Sequence, residues 1–373
     1  MASHRPSKRP RLLAAQANDG SLPRDELEEV LLRLPSKPLA RLRTISHSWR
    51  SLISAPHFVA EHARRCEADS LLVVPVYTAS PVDVKLVDMA SGAVVAQLDS
   101  GSNGRFVGMS GSLLCSVSGS GDTAAIRVLN LATGAVTSIA AGTSAAGGMR
   151  TSSAYVFGQV PKTGEHKILR VYTSCDHSEQ SCEILTLGGR EQSWRPAASP
   201  PVLVGGTDIS RHRAVTQGVV HFMTSDRAEY DGIASFDLAT EQWRPTLLQG
   251  PLSSDGRHCQ RTMLSLVDLN GCLVYVHHDY RFKSIDIWVL ADQVTWLRIK
   301  SLRQGSVLQR GEIMVQPLMV LDDGRIALWV AAPNGIVRLY DPRTDSCRDV
   351  VSVGKHCSTS VGLYTGSLLG FMK

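Results

Sequence analysis

The chain has 373 residues, 43% apolar and 20% charged, with a formal net charge of +5. That balance is typical of a soluble globular protein with room for two domains or one large one. Residues 1–18 hold Arg5, Lys8, Arg9 and Arg11 and no acid, so the body is nearly neutral; this argues against a nucleic-acid-binding surface as the main function.

The basic tail, residues 1–18, is expected to be disordered. Its Ser7–Arg11 segment reads equally as a nuclear localisation signal or as a solubilising tail. It lacks the apolar run of a signal peptide, and no stretch of the chain is apolar for long enough to span a membrane. A nuclear or cytoplasmic location follows, with the eight cysteines reduced and most of them small core fillers.

Residues 22–54 predict three short helices. Leu27, Val30, Leu31 and Leu34 share the spacing of one helix face, and Asp25, Glu26, Glu28 and Glu29 suit the positive end of the helix dipole. Pro35 ends this helix, and Ser36 with Pro38 starts a second that carries Leu39, Leu42 and Ile45. Trp49, Leu52 and Ile53 make the stripe of a third, before Pro56. A helical unit this small cannot bury all these stripes by itself, which leaves apolar surface for a partner.

This stretch resembles an F-box. The likeness rests on Leu22-Pro23-x-Asp25, on Leu34-Pro35-x-Lys37-x-Leu39, and on Arg43-x-x-Ser46-x-Ser48-Trp49-Arg50-x-Leu52-Ile53 followed by Pro56-x-Phe58. It departs at Ser46 and His47, where the family often has cysteine and lysine. The resemblance implies docking on the Skp adaptor of a cullin ubiquitin ligase. Leu22, Pro23, Leu27, Leu34, Pro35, Leu39, Ile45, Trp49, Leu52 and Ile53 are the residues it would assign to that contact.

From Glu67 onward, short Val/Ile/Leu/Tyr runs alternate with Gly, Ser, Asp and Asn clusters, the pattern of many short strands. The runs form a repeat. Leu86–Val94 (LVDMASGAV), Val128–Val136 (VLNLATGAV), Ser235–Trp243 (SFDLATEQW) and Leu339–Cys347 (LYDPRTDSC) are its clear copies; Ile184–Trp194 and Ile287–Trp296 are looser. Each is a strand, a polar turn and a strand. A second hairpin precedes most copies, turning at Ser110-Gly111-Ser112, Gln217-Gly218, Asn270-Gly271 or Asp322-Asp323-Gly324; in the third copy a longer Pro161–His166 stretch takes its place.

The unit is thus a four-stranded meander, the length of a β-propeller blade. Six copies are countable. The first lacks its innermost strand, and Ser358–Leu369, after the sixth, is the candidate to supply it and close the ring. The fold expected is a small all-α N-terminal unit at 19–66 followed by an all-β propeller at 67–373. The phrases Ile233–Trp243, Leu269–Leu290 and Leu321–Tyr340 resemble the F-box-associated domain of plant F-box proteins, which is kelch-like.

No catalytic or metal-binding motif stands out. There is no G-x-S-x-G elbow, H-E-x-x-H helix, Walker loop or G-x-G-x-x-G before a helix. Gly119–Asp122 reads as a hairpin turn, and His277-His278-Asp279 as a surface loop whose adjacent histidines point opposite ways. Asp88, Asp237 and Asp341 recur at one blade position, which points to turn chemistry rather than catalysis. No cofactor and no metal is expected.

Loops between the second and third strands of all blades emerge on one face. They are Thr78–Pro81, Gly119–Thr123, Ser174–Gln180, Ser225–Gly232, His277–Lys283 and Ala332–Gly335. Arg227, Tyr230, His277, Tyr280, Arg281 and Phe282 are the side chains there best suited to hold a protein target. With the F-box resemblance, the expected role is a non-catalytic substrate-recognition subunit: Skp adaptor and, through it, a cullin scaffold on one side, an unidentified target protein on the other, with no nucleic acid and no membrane. The alternatives are a propeller enzyme or a small-molecule or glycan receptor with a helical extension, and an assembly scaffold without ubiquitin transfer.

Overall fold

The computed structural model describes residues 24–34, 39, 42, 46–55, 57–58, 61–62, 71–76, 83–89, 91–99, 104–119, 124–131, 134–140, 150–174, 178–188, 193–205, 212–225, 231–252, 264–321, 323–332, 335–352 and 361–364. The helical unit contains α1 (Arg24–Leu32) and α2 (His47–Ile53). Of the expected middle helix, only Leu39 and Leu42 fall among the described residues, and both are helical. Leu31, Leu32, Leu39, Leu52, Ile53 and Phe58 are buried together, with Leu27, Leu34, Leu42 and Trp49 packed at their margin. Val30, expected on the same face, is instead 49% exposed.

Two polar contacts fix the ends of these helices. Ser46 is extended at the N-cap of α2, and its Oγ accepts a hydrogen bond from Trp49 N at 3.2 Å. The residue at which the sequence departs from the F-box pattern thus satisfies an otherwise orphaned N–H. Nε2 of the buried His62 lies 2.8 Å from the Leu34 carbonyl, just beyond the end of α1, and gives that acceptor a donor.

The strands form six sheets. In chain order they are β1 (Leu71–Val76), β2 (Asp83–Asp88) and β3 (Val94–Asp99); β4 (Arg105–Ser110), β5 (Leu113–Ser118), β6 (Ala125–Asn130) and β7 (Val136–Ala140); β8 (Arg150–Gln159), β9 (His166–Ser174), β10 (Gln180–Thr186) and β11 (Arg195–Ala197); β12 (Arg213–Thr216), β13 (Val219–Met223), β14 (Gly232–Asp237), β15 (Gln242–Trp243) and β16 (Leu248–Gln249); β17 (Leu264–Leu269), β18 (Cys272–Asp279), β19 (Ser284–Leu290) and β20 (Trp296–Arg303); then, after the short helix α3 (Gln304–Val307), β21 (Met314–Val320), β22 (Ile326–Ala331), β23 (Ile336–Asp341) and β24 (Ser346–Ser352); and last β25 (Gly362–Tyr364). All pairings are antiparallel and follow the meander order, with two exceptions. In the fourth blade β15 and β16 both pair with β14, so the outer strand is split around Pro245, which has no N–H to donate.

The other exception is β25. It pairs antiparallel with β1, placing Leu71, Leu72 and Val73 opposite Tyr364, Leu363 and Gly362. The last strand among the described residues is therefore the innermost strand of the first blade, and the six-bladed ring closes by hydrogen bonds.

Each blade packs on both sides, and this explains why the second strands are buried along nearly their whole length, polar residues such as Lys167, Arg170 and His278 included. There is one apolar cluster for every neighbouring pair of blades. Leu71, Val73, Val84 and Leu86 meet Phe106, Leu114 and Leu129 between the first and second. Leu72, Val74 and Val87 meet Ala327, Trp329 and Val337 between the first and sixth. Alternate residues of β1 thus serve two different cores. The remaining four junctions have their own clusters in turn.

The turns have the chemistry the repeat implies. The carboxylate of Asp88 accepts from Ser91 N at 2.6 Å, that of Asp237 from Ala239 N at 2.7 Å, and that of Asp341 from Arg343 N at 2.9 Å. Gln217-Gly218 and Asn270-Gly271 have positive φ at both positions, as a tight two-residue hairpin requires. The repeated tryptophans reach across blades. Trp243 Nε1 donates to Ala198 O at 2.7 Å and Trp296 Nε1 to Gln249 O at 2.8 Å.

Glu241 ties the third blade to the fourth. It accepts from Lys167 Nζ at 2.8 Å and from both Arg195 Nη atoms at 2.7 and 2.8 Å. The Arg195 bonds, against the opposing effect of burial and with help from Lys167, hold its carboxyl down at about 2. Its folded value lies below the ordinary 4.5, so its contribution is complete above that pH and is lost as pH falls toward 2. Melting temperature followed from pH 6 to pH 2 is expected to fall less steeply in Glu241→Gln than in the parent chain. Parallel acid limbs would show that the Glu241 carboxylate contributes nothing.

Candidate functional site

Two surfaces answer to the residues expected from the sequence. On the helical unit, Leu27 of α1 and His47, Ser48, Trp49, Ser51 and Leu52 of α2 line an open cleft of about 340 Å³. Trp49 and Leu27 are half-buried, with one side on the core and the other toward the cleft. Leu39, Leu52 and Ile53 lie in the core, at 0%, 6% and 0% exposure, so they support the cleft rather than face outward freely. Leu34 is partly buried at the end of α1. Leu22, Pro23, Pro35 and Ile45 lie outside the described residues.

On the propeller, the second and third strands end within a residue of the bounds the repeat gave for their connection in five of six blades, and most residues of the connections themselves, 77–82, 120–123, 175–177, 226–230 and 333–334, lie outside the described residues. The fifth blade differs. Its strand β18 runs to Asp279, so the turn is only 280–283 and His277-His278-Asp279 is not a surface loop. His277 is 3% exposed and His278 0%, and His278 Nε2 lies 3.0 Å from Val315 O of the next blade. The two rings do point to opposite faces, but both faces are covered by neighbouring blades. His277 therefore drops out of the surface set.

Tyr280, Arg281 and Phe282 remain at the tip of that turn, all exposed. Phe282 is exposed to 71% and Tyr280 to 43%. The turn is held from below. Asp279 Oδ1 accepts from Arg281 N at 2.9 Å and from Phe282 N at 3.2 Å, while Lys283 takes φ +50. Tyr280 Oη donates to Ile313 O at 3.0 Å, on the connection into the sixth blade. Ile313, which the sequence reading missed, is 63% exposed. It belongs to no repeated phrase, and the only signal was an isoleucine just after a Gly-Glu turn. Arg227 and Tyr230 lie outside the described residues.

The two parts of the chain match two known domain families. Residues 20–60 match the F-box domain, and residues 99–364 match the F-box associated beta propeller domain. The chain belongs to the F-box-associated propeller family. An F-box/kelch-repeat protein of Arabidopsis thaliana is 24% identical over 351 residues, which cover 88% of this chain and 93% of that relative. An Arabidopsis thaliana F-box protein is 25% identical over 293 residues, covering 73% of this chain and 68% of the relative. The β-propeller domain of the Trilobed protease from Pyrococcus furiosus has 13% identity and a TM-score of 0.37, over 66% of this chain and 71% of that one. A likeness so loose carries no functional argument.

The F-box-associated propeller also has a central channel, a space of about 460 Å³ lined by the innermost strands of its blades. Arg213, Asp268, Asn270 and Gln316 are its polar lining. Asp268 is open to the channel but enclosed by its walls, and this desolvation lifts its carboxyl to about 6 against the bond from the Gly271 N–H. The same enclosure, with the Arg105 guanidinium nearby, pulls Arg213 down to about 10. Among the described residues no group of three His, Cys, Asp or Glu side chains could hold a metal ion. Among the same residues no helix is long and apolar enough to cross a membrane.

Proposed function

We propose that this chain is the target-recognition subunit of a Skp–cullin–F-box ubiquitin ligase, acting in the nucleus or cytoplasm. Residues 19–66 would dock on the Skp adaptor and, through it, the cullin scaffold. Residues 67–373 would hold a target protein on the loop face. The observation that carries this reading is the pairing in one chain of an F-box helical unit, with its half-open Leu27–Trp49 cleft, and a propeller of the F-box-associated family. The chain itself would make and break no bond. Its contribution is to raise the effective concentration of a target lysine beside a charged conjugating enzyme.

The test is co-purification with a Skp adaptor. Trp49 and Leu52 both line the cleft, but Leu52 is 6% exposed and also part of the core. Trp49→Glu is therefore the cleaner variant, and Leu52→Glu the one that risks unfolding the unit. Adaptor binding is expected to be lost in Trp49→Glu, with the helical circular dichroism and propeller melt unchanged. An adaptor retained at parental affinity would sink the proposal.

A further inference from the structure

The corner between the fifth and sixth blades has a composition that names a kind of partner. Tyr280, Phe282 and Ile313 are large, apolar and exposed to 43%, 71% and 63%. Contiguous exposed apolar surface on a folded protein marks an interaction site more often than an accident. Their backbone is tied down. The Asp279 carboxylate pins the turn at two N–H groups. Lys283 O accepts from Gln304 N at 2.8 Å, and Ile313 N donates to Ala331 O at 2.8 Å. An aromatic anchor on a backbone ordered in advance loses less freedom on binding.

The charge nearest them is mainly positive. Arg281, Lys283, Arg303 and Arg310 are all exposed on these same turns and strand ends. One exposed acid, Asp345, faces Arg303 from the sixth blade and accepts from Ser306 Oγ and Tyr340 Oη, and the two acids nearest the aromatic turn are engaged internally. Asp279 is 7% exposed and caps the turn, and Glu312 is 6% exposed and bonded to Arg338. A second copy of the chain would bring like charges together, which disfavours self-association.

We infer that this corner binds a short acidic segment of a partner protein, with an aromatic or aliphatic side chain seated against Tyr280, Phe282 and Ile313 and flanking carboxylates on the arginines and lysine. The inference rests on the reading of the loop face as the target side, and it specifies what a target must carry.

A displayed library of random peptides about twelve residues long, selected on the immobilised full-length chain, tests it. Enriched sequences are expected to combine Phe, Trp, Tyr or Leu with several Asp or Glu. A synthetic peptide of the best sequence is expected to lose about tenfold or more in affinity to Phe282→Ser, and again to the pair Arg281→Glu and Lys283→Glu. Both variants are expected to keep the parental melt and Skp-adaptor binding. Any of four results overturns the inference: no enrichment; enriched peptides that are neutral or basic; affinity untouched by both variants; or, in the parent, dimerisation by light scattering or binding to phosphatidylserine vesicles that Phe282→Ser abolishes. Loss of adaptor binding in the parent chain alone would instead sink the ligase reading and leave this one standing.

Discussion

Deleting residues 361–373 is expected to open the propeller, replacing one cooperative melt with a broader transition at lower temperature. The deletion removes β25, which pairs with the inner edge of β1. That edge would then face the channel with unpaired N–H and C=O groups, which costs free energy wherever water reaches them poorly. It also removes Tyr364, 1% exposed in the cluster between the first and second blades. Tyr364→Ala alone isolates the packing part, and a buried aromatic truncation of this kind costs about 3–5 kcal/mol. Gly362 is the third probe. A Cβ built there would collide with the Met109 side chain, so Gly362→Val is expected to displace that flexible side chain and lower the melt by less than the deletion does. Circular dichroism melts and trypsin sensitivity read all three. A parental melt in the deletion would show that the ring is stable without its clasp.

The closure was legible because it follows from counting: six hairpin pairs, one strand short at the front and one left over at the back. The turns were legible too, since Asp88, Asp237 and Asp341 act on their own backbone within three residues. What failed was any statement that needed the next blade. His277-His278-Asp279 looks like a polar loop in sequence, yet β18 is buried from Leu273 through Asp279, because a blade's second strand has a neighbour on each face. The alternation that marks a half-exposed strand vanishes there, and the partner of His278 lies in a different repeat. The tryptophans show the same limit. Their recurrence was visible, but that Trp243 and Trp296 bond to the preceding blade was not. In the helical unit the apolar spacing located the core, but it did not say which edge of that core stays open. Val30 and Leu31 are adjacent, and only one of them is inside.

Arg338→Met is expected to be the most destabilising single charge removal in the sixth blade. The guanidinium is 1% exposed in β23 and bonds in three directions. It donates to Val307 O at 2.8 Å, to both Glu312 carboxylate oxygens at 2.7 and 2.8 Å, and to Asp349 Oδ1 at 2.5 Å. One side chain thus joins α3 and the connection from the fifth blade to the outer strand β24. Methionine would fill most of the volume but leave Glu312, 6% exposed, as a buried carboxylate without its cation. Breaking a buried pair from one side costs about 3–5 kcal/mol, whereas replacing both partners by apolar groups is often near neutral. Arg338→Met combined with Glu312→Leu is therefore expected to recover most of the loss, although Asp349, 48% exposed, keeps its charge in water. Arg338→Lys is expected to recover little, because an ammonium group cannot serve the forked Glu312 contact and the other two acceptors together. Urea unfolding of the single and double variants gives the coupling directly. Additive losses in that cycle would mean that the burial of this pair, and not the bond between its charges, is what the sixth blade depends on.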